Sequence, residues 1–244
     1  MPPAERMNTD VRKYLAALFS ITLWALPSYA DTTPPARTWP GGFVARLEAS
    51  LLIQTLNAEL LSHDSATLTL ERWCSAHRLA SAPRIVAERI SGADKVPTAE
   101  QRQELRVAAT EPVRYRRVRL LCGTVVLSEA DNWYVPGRLT SEMNKALETT
   151  DTPFGRAVQA LHFQRHTMSA KVLWPLLPEG WELSPVAREC NGDLPIPPYV
   201  LEHRAVLTLP DGTPFSEVVE TYTGNVLAVP VHKWPDDCTR SSGQ

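Results

Sequence analysis

The chain has 244 residues, 43% of them hydrophobic and 21% charged, with 21 Pro, 11 Gly, 4 Cys and a formal net charge of -2. That length supports a sizeable core, which excludes a disordered chain and a miniprotein held by disulfides alone. The near-neutral balance argues against a nucleic-acid partner, and 20 of the 25 basic residues are Arg, a composition suited to fixed carboxylate contacts.

Residues 1–30 carry Arg12 and Lys13, then the apolar run Leu15 to Leu26, then Ser28-Tyr29-Ala30 before Asp31. Charged, apolar and small-x-small segments in that order form a secretory signal, with cleavage expected after Ala30. The apolar run has 12 residues, short of the roughly 20 a membrane-spanning helix needs. The expected organisation is a signal peptide at 1–30 and a single domain at 31–244, periplasmic or secreted, with no stable membrane span after cleavage. Removing three basic and two acidic residues takes the net charge from -2 to -3, which gives little attraction for phosphate polymers or anionic lipid. All four cysteines survive cleavage, and none shows the tight spacing of a zinc site. In an oxidising compartment disulfides are expected. The favoured pairing joins Cys74 to Cys122, each expected at a strand end, and Cys190 to Cys238 in Pro-rich chain. Buried free thiols are the alternative for the first pair.

Along the mature chain, residues 42–61 place Ala49, Leu52, Ile53, Leu56 and Leu60 on one stripe of period 3.6, an amphipathic helix. After Asp64 and Ser65, the alternation from Ala66 to Trp73 reads as a strand, and Ile85 to Ile90 as a second. Pro97-Thr98-Ala99-Glu100 opens a short capped helix through Leu105. Val113 to Leu121 and Val125 to Val135 form a hairpin turning at Cys122-Gly123-Thr124, which Pro136-Gly137 stops. Ser141 to Leu147 is helical, and the turn Thr152 to Gly155 opens a further helix through Leu161. Phe163 to Leu173 returns to strand. Six prolines in 175–198 indicate a long loop or insertion. Val200 to Leu209 and Pro214 to Thr223 form a last hairpin around Pro210-Asp211-Gly212. Hairpins with helices gathered between them predict an α+β fold: one antiparallel sheet of about six strands with helices packed on one side.

No G-x-S-x-G, P-loop, dinucleotide fingerprint or H-E-x-x-H occurs. His162 and His166 stand four apart, but the predicted helix ends before them, so no metal site is expected. Arg114, Arg116, Arg117 and Arg119 cluster in one strand; alternation sends Arg117 and Arg119 to one face and Arg114 and Arg116 to the other. A cluster split between faces is no nucleic-acid stripe. Glu217 and Glu220 are three apart in a strand and so point to opposite faces. An inward carboxylate needs an Arg or another donor. An inward Glu with an inward Arg is then either a structural ion pair or the two ends of a polar ligand site.

The order Arg117-Val118-Arg119-Leu120-Leu121-Cys122, Ala130 to Pro136, Thr152-Pro153-Phe154-Gly155-Arg156, Leu173-Trp174 and Glu220-Thr221-Tyr222 resembles the chorismate lyase family over roughly residues 112–225. The T-P-[L/F]-G-R element is its most specific piece. The resemblance implies a six-stranded antiparallel sheet and a buried pocket for chorismate or 4-hydroxybenzoate. It puts the carboxylate-binding Arg at Arg117, the turn contact at Phe154 with Gly155 beside it, and the catalytic Glu at Glu220, partly protonated by burial, with Glu217 as the competing match. Aromatisation would drive pyruvate elimination, so no cofactor is implied. Asn132 stands where the family carries an Arg, and residues 175–198 enlarge a loop. The resemblance leaves two functions open: an exported lyase acting on chorismate, or a non-catalytic periplasmic binding or interaction module for a small aromatic carboxylate.

Overall fold

In this computed structural model, which describes residues 39–92, 94–183 and 193–229, six strands form one antiparallel sheet. They are β2 (Ile85–Arg89), β3 (Arg114–Cys122), β4 (Val125–Tyr134), β5 (Gln164–Val172), β7 (Tyr199–Thr208) and β8 (Pro214–Thr223), in the order β2-β3-β4-β8-β7-β5. The two long hairpins lie side by side, β4 against β8. At the turn between β3 and β4, Gly123 has a φ of 58°, and a Cβ there would meet Ala80 Cβ at 2.9 Å, so both backbone and space call for glycine. The fold class is the expected one, α+β with a single six-stranded antiparallel sheet.

Helix α1 (Phe43–Leu61) buries Ala49, Ile53, Leu56 and Leu60, four of the five residues of the expected stripe. Ile53, Leu56 and Leu60 are each at most 1% exposed, and burying such a side chain contributes about 1.5–3 kcal/mol. Helix α2 (Ala66–Ala76) packs beside α1 on the same sheet face, with Leu70 and Trp73 in a core shared with Val118, Leu120 and Val218. Helices α4 (Ser141–Thr149) and α5 (Phe154–Ala157) follow β4. The six-residue α3 (Ala99–Glu104) lies instead over the opposite face, where Gln101 donates to Glu217 Oε1 at 3.3 Å. Thr98 and Gln101 close the expected capping box at its start.

The segment Ala66 to Trp73 is helix, not strand. Ser65 caps it by accepting from the Leu68 amide, and Ala66, Leu70, Trp73 and Cys74 fall at i, i+4, i+7 and i+8, a buried stripe that outweighs the β-branched Thr67 and Thr69. Cys74 therefore sits on a helix rather than at a strand end. Its disulfide to Cys122 is present. The Pro-rich stretch is also not all loop: Asp193–Leu194 (β6) pairs with Trp39–Pro40 (β1), and Leu176 and Leu194 are buried. The signal peptide at 1–30, Cys190 and Cys238 lie outside the described residues. Among the described residues, no helix is long and apolar enough to cross a membrane.

Candidate functional site

The sheet's register selects the residues that can meet under the helices. Across β3, β4 and β8 the pairings Arg116↔Asn132↔Val218 and Val118↔Ala130↔Glu220 bring these six side chains to one face. They floor a cavity whose wall is the start of α2, Asp64 to Thr67, together with Phe154 and Gly155 of α5 and Phe163, Arg165 and Leu207 at the far side. A Cβ on Gly155 would stand 2.7 Å from Ser65 Oγ and 3.1 Å from Thr67 Oγ1. The glycine thus lets α5 close against the first turn of α2, where backbone amides favour an anion.

Arg116 is 5% exposed. Its Nη2 donates to Thr152 O at 3.0 Å, while Nε and Nη1 have no hydrogen-bond partner among the described residues. Burial, and secondarily the charge of Arg89, lowers its pKa to about 10, so it remains a cation at neutral pH. Opposite it, Asn132 is 4% exposed. Asn132 Nδ2 donates to Ser216 Oγ at 2.8 Å, and Oδ1 has no partner among the described residues. Buried donors without acceptors cost stability unless something binds them.

At the other end, Arg165 Nη2 lies 2.5 Å from Glu220 Oε2, with side-chain exposures of 4% and 7%. The Tyr222 hydroxyl donates to the same oxygen at 3.2 Å. Both contacts fall on Oε2 of Glu220. Burial disfavours the Arg165 charge, yet Glu220 foremost, together with Tyr222 and Asp64, holds the guanidinium above its ordinary pKa. Beside this pair, burial pushes the pKa of His203 down to about 4. Its Nε2 lies 2.8 Å from Asn57 Oδ1, which fixes the neutral tautomer with the proton on Nε2. The sign of the pH effect follows. Between about pH 6.5 and pH 4 the unfolded chain binds a proton that the folded one refuses, so stability falls as pH falls through that window, by about 3 kcal/mol in full. Urea midpoints at pH 7 and pH 4.5 should differ more in the wild type than in His203→Gln. An unchanged difference in the variant would assign the loss to carboxylates.

Of the residues expected at the site, Phe154, Gly155 and Glu220 line this cavity. Arg117 does not. It stands on the other face, 3.1 Å from Glu129 Oε2 and 3.8 Å from Asp131 Oδ1, because its neighbour Arg116 has the inward parity of Val118 and Leu120. Glu217 also faces away from the cavity, fully buried and 2.8 Å from Arg204 Nε, where it clamps α3 to the sheet. The inward arginines are thus Arg116 and Arg165. Arg165 shares the parity of buried Phe163 within the expected strand, which was the available signal for it. His162 and His166 are both exposed, with His166 Nε2 at 3.0 Å from Thr208 Oγ1.

These features describe an α+β domain with a polar-ended cavity between sheet and helices. Among solved structures it is similar to PhnF from Mycobacterium smegmatis (TM-score 0.44, 11% identity, 71% of this chain and 70% of that one). It is similar also to the effector domain of PhnF (TM-score 0.43, 12%, 66% and 90%) and to a GntR-family transcriptional regulator from Bacillus cereus (TM-score 0.37, 10%, 62% and 99%). No family model matches the chain. It belongs to the family of the uncharacterized protein y4mC of Sinorhizobium fredii (strain NBRC 101917 / NGR234), to which it is 53% identical over 220 residues, 88% of this chain and 90% of that protein.

Proposed function

We propose that the chain is an exported binding module that takes a small aromatic or cyclohexadienyl carboxylate in the cavity between the sheet and α2. The observation that carries this reading is Arg116, a buried cation with two donors unused, in a cavity whose floor also presents the apolar side chains of Val118, Ala130 and Val218. A ligand carboxylate would take both donors in a two-pronged, charge-assisted contact, while its ring lies on the apolar floor. Arg165 and Glu220 would face the ligand's far end. They are already bonded to each other, which favours binding over turnover. The lyase chemistry of the family resemblance needs Glu220 to act on the ligand, and its Oε2 is already engaged by Arg165 and Tyr222.

Thermal unfolding with benzoate, 4-hydroxybenzoate and chorismate tests the reading. A ligand at 100 times its dissociation constant adds about 2.7 kcal/mol, and Arg116→Gln is expected to remove that gain without lowering the stability of the unliganded protein. No shift from any of the three acids would refute the proposal. With chorismate, formation of 4-hydroxybenzoate should equal the buffer blank; a rate above it would establish the lyase instead.

A further inference from the structure

The reading above concerns one carboxylate, but the buried face offers an unused acceptor beside the two donors. Arg116 and Asn132 are directly opposed across β3 and β4, and side chains so paired hold their Cβ atoms about 4.5–5.5 Å apart. Asn132 Nδ2 donates to Ser216 Oγ, and Oδ1 is the amide atom without a partner among the described residues. Two unused donors, Nε and Nη1, therefore stand beside one unused acceptor, all on side chains at least 95% buried.

A bare carboxylate answers only half of this arrangement. It accepts from Arg116 but offers nothing to Asn132 Oδ1, whose lone pairs would then face the carboxylate oxygens in a site shielded from water. We infer that the ligand carries a hydrogen-bond donor, an amino or hydroxyl group, on the atom next to the one that bears its carboxylate. An ortho-amino acid fits best: one N–H bonds internally to its own carboxylate, and the second remains for Asn132. A donor at the para position is carried away from Asn132 toward the opposite end of the cavity. This inference rests on the carboxylate reading and adds the position of the second group.

Isothermal titration of the full mature chain with benzoate, 4-aminobenzoate and 2-aminobenzoate separates the two ideas. The expected result is 2-aminobenzoate binding at least tenfold tighter than either of the others, with that advantage lost in Asn132→Leu and all binding lost in Arg116→Gln. Equal affinity for the three acids would overturn the ortho-donor inference and leave the carboxylate reading standing. Binding of none of them would end the carboxylate reading and this inference with it. Should Asn132→Leu fail to fold, the comparison of the three acids on the wild type still decides.

Discussion

Replacing Arg165 with Met is expected to destabilise the protein by about 3–5 kcal/mol, the largest loss from any single substitution at the cavity. The variant removes the cation from a pair that is nearly solvent-free on both sides, leaving the Glu220 carboxylate with only the Tyr222 hydroxyl. A stranded buried charge costs far more than the intact pair contributes, because its desolvation is no longer offset. Glu220→Gln in the Arg165→Met background should therefore recover more than half of the loss. Urea midpoints for both single variants and the double variant yield the coupling energy, expected above about 2 kcal/mol. Coupling near zero would mean that water reaches the pair. Arg117 is the internal control: it lies on the opposite face and is partnered by Glu129 and Asp131, so its coupling to Glu220 should be negligible.

Loss of the Cys74–Cys122 disulfide, by alanine at both positions, should cost about 4 kcal/mol. The bridge joins residues 48 apart, and a loop of that size removes roughly that much chain entropy from the unfolded state. For a domain of this size, such a loss lowers the melting temperature by about 8–16 °C. Both cysteines are fully buried, so alanine is preferred to serine, whose hydroxyl would need a partner there. The bridge ties α2 to β3, the two elements that carry the cavity's wall and Arg116. Ligand affinity should fall along with stability. A loss below about 1 kcal/mol would show that the two residues contribute only as packed thiols.

Much of the fold was legible because its hairpins announce themselves through alternation and turn residues. The helix Ala66–Ala76 was not, since Thr67, Leu68, Thr69 and Leu70 alternate with a period of two, and only the cap at Ser65 and the longer stripe through Trp73 and Cys74 separate the readings. The candidate site was legible in its parts but not in its pairings. Parity alone placed Arg116 and Arg117 on opposite faces and Glu217 and Glu220 likewise. Which face is covered by helices depends on long-range packing that no local pattern encodes, and the resemblance favoured Arg117 by linear position. Arg165 escaped notice because its partner, Glu220, is 55 residues away in the chain, two strands over in the sheet.

The Trp39 indole N–H donates to Leu227 O at 3.2 Å, and the same two-residue strand pairs with Asp193–Leu194. Trp39 and Leu227, near the first and last described residues, thus lie side by side. A circular permutant of the described domain, opened at the exposed turn Pro210-Asp211-Gly212, would therefore need only a short linker from Val229 to Trp39. By the same geometry, a partner fused directly at Trp39 would stand beside one fused directly after Val229.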